Sequence, residues 1–333
     1  MARHALSLIA LLCCGCAGWQ SALDTHAVQG TRLAHLIWLF VGVCAVVWVT
    51  VTVVLLLALR KKNDCPDDGP HTPAEASERR MARIVRAAAI ATAGIITSLT
   101  IVSFYATREL TSAAVAALDL RVRGYQWWWE VTYLDARPDQ VFITANEIHV
   151  PVGRSIHLRL AAADVIHSFW VPSLTGKQDL IPGRENTLTF TPQEVGIYRG
   201  QCAEFCGLQH AHMSLLVVVD SAADFEHWRR GQLAPAATPR GPEQETGKRL
   251  FENKACASCH NIQGSTASGT IGPDLTHLAS RHYIAAGSLA TNRGSIAAWL
   301  ADPQTIKPGN NMPRVRLNAG ELNALSAYLA ALR

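Results

Sequence analysis

The sequence is short of charge, short of methionine, and free of internal repeats and low-complexity tracts. Charged residues make up 17% of the 333 positions and hydrophobic ones 49%, which excludes a single ordinary soluble globule. Some of the apolar content needs a home other than a core. The net charge of +4 is too mild for a nucleic-acid binder, and no basic run carries interleaved aromatics. Length alone leaves room for about two domains. Only four methionines occur, one of them Met1, and Met213 and Met312 each follow a close pair of cysteines. The nine cysteines fall into groups: Cys13, Cys14 and Cys16 near the start, Cys44 and Cys65 in or beside an apolar run, then Cys202/Cys206 and Cys256/Cys259.

Residues 1–18 read as a secretory leader: Arg3 and His4, an apolar stretch over 5–12, then Gly15, Cys16, Ala17 and Gly18. A cysteine at that place suits a bacterial lipoprotein, so Cys16 is either a lipidation site or part of an ordinary leader. The stretch 33–107 reads as a transmembrane hairpin. Its helices, 33–59 and 87–107, hold no Asp, Glu, Lys or Arg, and each is long enough to cross roughly 30 Å of hydrocarbon. Between them lie Arg60, Lys61, Lys62, Arg79, Arg80, Arg83 and Arg86. Such a basic loop stays in the cytoplasm, so both ends of the chain face outward.

Residues 115–220 change character. Short β-branched segments at 155–160, 186–190 and 215–219 are divided by Pro151, Gly153, Pro172, Pro182, Gly183 and Gly196, which predicts a β-sandwich or barrel. Residues 230–242, with Gly231, Pro235, Pro239, Gly241 and Pro242, read as a flexible linker. As a random coil it would span about 20 Å. From Glu243 onward the pattern is helical. Asn318 and Glu321 make a capping box, and Leu322, Leu325, Tyr328, Leu329 and Leu332 form one stripe.

Cys256-Ala-Ser-Cys259-His260 has the spacing of a covalent haem site. Two thiols three residues apart can add to the two vinyl groups of one porphyrin, and the next histidine then points at the iron. A zinc site would need a second ligand pair, and a redox dithiol would need a βαβ setting. The other axial position calls for a soft thioether. Met312 is the only methionine after Met213; His277 and His282 compete for the position, but a histidine in a polar loop is more often just solvated. Residues 243–333 resemble a class I cytochrome c domain. The resemblance rests on Gly247 and Phe251 before the cysteines, Gly272-Pro-Asp-Leu275 after them, Met312-Pro313 and the closing helix.

The second constellation is His167 with Cys202-Ala-Glu-Phe-Cys206-Gly-Leu-Gln-His210-Ala-His-Met213. Two thiolates four residues apart can bridge a copper pair, with imidazole, thioether and carbonyl completing it, and soft sulfur with imidazole selects copper over magnesium or calcium. A Cys202–Cys206 disulfide leaves the histidine and methionine that follow unexplained. A mononuclear blue-copper site needs only one cysteine. His149, His157 and His212 read as structural or solvated.

This region, roughly residues 20–220, resembles subunit II of haem-copper cytochrome c oxidase. The motifs are the cysteine loop, Asp164-Val-Ile-His167-Ser-Phe-Trp-Val-Pro172, Pro182-Gly-Arg184 and Gly124-Tyr-Gln-Trp-Trp-Trp129. The resemblance implies a cupredoxin-like domain and a dinuclear copper (CuA) centre held by His167, Cys202, the Glu204 carbonyl, Cys206, His210 and Met213. It also implies a magnesium reached by the Glu204 carboxylate and shared with subunit I, and Trp127 as the residue where electrons come in. One departure is the absence of the acidic residue and Trp-Thr pair that many relatives carry at the cytoplasmic start of the second helix. Arg79-Arg-Met-Ala-Arg-Ile-Val-Arg86 stands there, so a proton-uptake role for this chain loses its basis.

Together the resemblances imply a multidomain protein of a bacterial inner membrane: two-helix hairpin, copper domain, then an all-α cytochrome c domain, both domains on the periplasmic side. An external donor, a cytochrome c or another periplasmic carrier, would reduce the haem. The copper would receive the electron and pass it to the haems of subunit I, where oxygen is reduced and protons move. Subunit III and membrane lipid are the further expected partners. The chain itself would only carry electrons. Three rivals are a quinol oxidase subunit II, which lacks the copper ligands, a nitrous oxide reductase fragment, for whose catalytic domain there is no space, and a stand-alone membrane electron carrier.

Overall fold

The structure is a computed structural model that describes residues 18, 20–62, 75–108 and 118–333. The leader with Cys16, the middle of the basic loop and residues 109–117 lie outside the described residues. The chain divides into two compact units, one of residues 32–109 and one of residues 1–31 with 110–333.

The smaller unit is two long helices, α1 (Val28–Lys62) and α2 (Glu75–Arg108). Both outrun the apolar stretches, because Ala, Arg, Glu and Leu propagate helix well into the polar flanks. Their apolar side chains stand open: Trp48 is 69% exposed, Ile90 74% and Phe104 60%. Surfaces this apolar, on helices whose backbone bonds are satisfied internally, suit lipid rather than water. The windows 28–60 and 78–108 are each long enough to span a bilayer.

In the larger unit, residues 118–220 form two five-stranded sheets, a cupredoxin-like sandwich. One runs β3-β2-β1-β5-β8, from Phe142–Ala145, Trp128–Tyr133, Leu118–Tyr125, Ile156–Ala162 and Asn186–Phe190. The other runs β4-β10-β9-β6-β7, from Glu147–Pro151, Ser214–Asp220, Gly196–Cys202, His167–Trp170 and Gln178–Leu180. Period-two alternation sets the faces. In β1, Leu118, Leu120 and Val122 point inward while Arg121 and Arg123 stay out. Ile156, Leu158 and Leu160 of β5 meet Phe169 and Val217 of the facing sheet in one core around Trp129. Each such fully buried side chain contributes about 1.5–3 kcal/mol. Residues 26–31 strap onto this domain, His26 N donating to the Ser173 carbonyl at 2.8 Å.

Helix α3 (Ala222–Gln232), capped by Ser221, follows the sandwich. Residues 230–232, expected in the linker, are therefore helical. The rest is not free either: Ala236 N donates to the Gln263 carbonyl at 2.9 Å, and the Ala234 carbonyl bonds His277 Nε2 at 3.0 Å. The segment between the two domains thus begins in a helix and makes backbone bonds that composition cannot announce.

Five helices follow: α4 (Pro242–Asn253), α5 (Cys256–Cys259), α6 (Arg293–Ala301), α7 (Pro303–Ile306) and α8 (Ala319–Leu329). The Asn318/Glu321 capping box starts α8 in both its bonds. The stripe it carries packs Leu325, Tyr328 and Leu329 against Phe251 of α4. The region is not wholly helical. A two-residue ladder, β11 (Tyr283–Ile284) with β12 (Leu289–Ala290), interrupts it.

Candidate metal and haem centres

The copper-type ligand set is assembled from the ends of two strands and the loop that follows the second. His167 opens β6, and its ring lies against Gly124 of β1, where an added Cβ would come within 2.8 Å of the imidazole. Cys202 ends β9, and the loop 203–213 returns to β10 through Gly207 at φ +110°, a conformation that side chains resist. The two sulfurs stand 3.7 Å apart, so they are not joined. His167 Nδ1 is 3.9 Å from Cys202 Sγ, and His210 Nδ1 is 3.6 Å from Cys206 Sγ. Met213 Sδ lies 3.8 Å from Cys206 Sγ, and the Glu204 carbonyl 3.2 Å from Cys202 Sγ. Five soft or borderline donors and one carbonyl oxygen thus converge, with one imidazole beside each sulfur. His167, Cys202 and Cys206 are close enough together to hold one ion. This donor set fits a copper pair and fits no hard cation.

The electrostatics agree with thiolate chemistry. A thiol hydrogen bond from Cys206 lowers Cys202 to about 3, against burial, with help from His167. Cys206 moves up in consequence, because the neighbouring thiolate and burial both oppose a second charge. For His167 burial acts downward, but bonds to Cys202 and Asp164 outweigh it and the net shift is upward. Asp164 Oδ1 holds His167 Nε2 at 2.8 Å, which leaves Nδ1 toward the sulfur. The other Asp164 oxygen accepts from Gln126 N at 2.7 Å.

The haem-type site is a cavity of about 440 Å³ lined by Cys256, Cys259, His260, Trp299 and Met312. His260 Nδ1 meets the Pro273 carbonyl at 2.7 Å, which fixes the ring and leaves Nε2 for a ligand. Burial lowers His260, keeping the imidazole neutral as a metal ligand must be. Met312 Sδ accepts from Trp299 Nε1 at 3.1 Å. Arg281 lines this cavity as well; its Nη2 donates to the Asp274 carbonyl at 2.6 Å, and its buried Nε has no hydrogen-bond partner among the described residues. An apolar slot with two free thiols, a neutral imidazole and a buried guanidinium in its wall fits a haem with acidic substituents. His277 and His282 do not line it. His277 is 6% exposed rather than solvated, and His282 Nδ1 sits 3.0 Å from Glu147 Oε2.

Trp127 belongs to both centres. It is 8% exposed, its Nε1 donates to the Cys206 carbonyl at 2.9 Å, and its ring lines the haem-type cavity. Gln126 Nε2 donates to the same carbonyl at 2.7 Å. The Glu204 carboxylate is instead 44% exposed, 3.9 Å from Lys177 Nζ. His149 is held between Asp220 at 2.7 Å and Glu147 at 3.1 Å, and His157 by Asp119 at 3.1 Å. His212 Nδ1 bonds Gln209 at 2.8 Å.

Sequence reading missed Arg281 and Lys307. Arg281 could have been suspected as a cation next to a haem motif, whereas Lys307 gives no local signal. Burial pulls the Lys307 ammonium down to about 7, opposed by the Cys206 sulfur.

Residues 135–221 match the family model for the periplasmic domain of cytochrome c oxidase subunit II, and residues 244–333 match the cytochrome c model. The chain is 34% identical over 215 residues to cytochrome c oxidase subunit 2 of Alkalihalophilus pseudofirmus, covering 64% of this chain and 61% of that protein. It is 36% identical over 228 residues to the Bacillus subtilis protein of the same name, covering 65% and 63%. It thus spans about three fifths of the length of the curated relatives it matches. A crystal structure of the periplasmic domain of subunit II from Bradyrhizobium japonicum is 32% identical, covering 36% of this chain and 96% of that one, with a TM-score of 0.34.

Proposed function

We propose that this chain, which matches the family models for the periplasmic domain of cytochrome c oxidase subunit II and for cytochrome c, is the electron-accepting subunit of an aerobic respiratory oxidase. When bound, a haem c and a dinuclear copper supply one-electron carriers through which electrons from an external donor reach the haems of subunit I, for oxygen reduction coupled to proton translocation. Cys256 and Cys259 would hold the haem covalently, His260 and Met312 would ligate its iron, and Arg281 would neutralise an acidic substituent. His167, Cys202, the Glu204 carbonyl, Cys206, His210 and Met213 would hold the copper.

The observation that carries this reading is the pair of unjoined sulfurs 3.7 Å apart with an imidazole beside each. Structural cysteines at that range in an oxidising compartment would be bonded to each other. Trp127 is the residue through which electrons reach the copper, since its indole both lines the haem-type cavity and bonds the Cys206 carbonyl. The exposed Glu204 carboxylate is the group we assign to a magnesium shared with subunit I. The two apolar helices anchor the chain in a bacterial inner membrane, with both domains on the periplasmic face. Subunit III and a cytochrome c or similar periplasmic donor complete the set of partners.

Affinity purification of the full chain from its native membrane tests this reading. A large haem-bearing partner with cyanide-sensitive oxygen uptake is the expected companion. Recovery of the chain fully loaded with copper and haem but without such a partner would instead make it a stand-alone carrier.

A further inference from the structure

Lys307 is the most unusual cation in the larger unit. Its side chain is buried, the residue being 2% exposed, five positions before Met312 on the loop that closes the haem-type cavity. Nζ donates to the Trp127 carbonyl at 2.8 Å, the His212 carbonyl at 2.8 Å and the Ala285 carbonyl at 3.2 Å. Three acceptors meet the three N–H donors that only the ammonium form offers. Leaving such a charge buried and unbonded costs several kcal/mol, so the cage and the lysine depend on each other. Two of the three carbonyls belong to the copper domain, one at Trp127 and one on the cysteine loop. The third, Ala285, belongs to the cytochrome domain.

The neighbouring residues continue the same seam. The Pro308 carbonyl accepts from Gln209 Nε2 at 2.8 Å, and Asn311 Nδ2 donates to the Gln126 carbonyl at 3.3 Å. On the other side of the cage, Ser214 N and Oγ both bond the Ala286 carbonyl, at 3.1 and 2.9 Å. The loop that presents Met312 is therefore tied to Trp127 and to the cysteine loop, at both ends of the path between the two centres.

We propose that Lys307 is a positioning residue for electron transfer within the chain, its ammonium pinning the Met312 loop onto the backbone of Trp127 and His212. The inference rests on the proposed haem-to-copper reading but is separable from it, because the pinning is a property of the polypeptide. Lys307 lines the haem-type cavity, but its ammonium bonds backbone carbonyls rather than any of the proposed ligand side chains. It fixes the distance and the contact between the domain that receives the electron and the indole through which the electron leaves. A flexible tether would sample many poses, whereas this cage selects one.

The test compares wild type with Lys307→Met, which keeps the stem and deletes all three donors, in the full chain within its complex. Hydrogen–deuterium exchange reads the pinning without any cofactor activity. Faster exchange of the amides in 307–312 and 126–128 is expected in the variant. Flash or stopped-flow kinetics then separate two steps. Reduction by the external donor should be unchanged, while internal transfer slows by about tenfold or more, the population change expected when a charge-assisted hydrogen bond is lost. Asn311→Ala, an exposed position on the same seam, should give a smaller change of the same kind and covers the case in which the lysine variant fails to fold. Unaltered exchange in both segments, or equal slowing of both steps, overturns the proposal. If wild type itself binds no haem or copper, the functional reading fails, yet the exchange comparison still decides whether Lys307 pins the loop.

Discussion

Glu147→Gln should loosen the contact between the sandwich and the cytochrome domain in a pH-dependent way. Glu147 is 6% exposed at its side chain and accepts from His149 Nε2 at 3.1 Å, His282 Nδ1 at 3.0 Å and His282 N at 2.8 Å. His149 is also held by Asp220 at 2.7 Å and stacked on Trp228, and the buried Arg281 feels the same carboxylate. Burial pushes Glu147 upward, but the bonds from His149 and His282 outweigh it and leave it below the usual carboxylate range. Burial pushes His149 downward, but Asp220 and Glu147 outweigh it and leave it raised. The signs fix the window. The Glu147 contribution is present above about 4.5 and lost as pH falls through its lowered value; the His149 contribution is full below about 6.5 and lost as pH rises through its raised value. A hydrogen bond to a charged group is worth about 1.5–3 kcal/mol, and the His282 bond counts for less because that ring is 42% exposed. Near pH 6 the substitution should therefore cost about 2–4 kcal/mol, or roughly 5–12 °C in Tm for a region of this size. Thermal unfolding of the full chain in detergent at pH 6 and pH 9 measures it. The loss should shrink clearly at pH 9. An equal loss at both values would show that the contact depends on shape rather than charge.

Three further outcomes are expected. Met312→Ala should abolish the iron–methionine absorbance band while copper content stays constant, and Cys206→Ser should do the reverse; metal analysis with visible spectra reads both. Trp127→Phe removes the indole N–H, but Gln126 Nε2 still serves the Cys206 carbonyl, so stability should change by at most about 1 kcal/mol while internal electron transfer slows. Phe251→Ala empties the buried contact with Tyr328 and should cost about 3–5 kcal/mol in denaturant titration of the cytochrome-region signals.

What could be read from the residues was whatever a local pattern encodes. The spacing of Cys202, Cys206, His210 and Met213 fits within one loop, so chemistry and sequence distance coincide. The two charge-free runs and the stripe on α8 follow from periodicity and length alone. The features that escaped join residues far apart in the chain. Lys307 meets Trp127 across 180 positions, and Glu147 meets His282 across 135. His277 read as a solvated loop residue because nothing nearby announced its partner, the Ala234 carbonyl. The stretch after α3 looked free for the same reason: glycine and proline report conformational freedom, not the backbone bonds that later remove it.

Quantitative metal analysis with electron paramagnetic resonance on the purified full chain puts the paired sulfurs to the hardest trial. Two coppers and one covalent haem per chain, with the unpaired electron spread equally over both copper nuclei, is the expected result. A single copper with its electron localised, or mass-spectrometric detection of a Cys202–Cys206 disulfide in copper-replete protein, would contradict it.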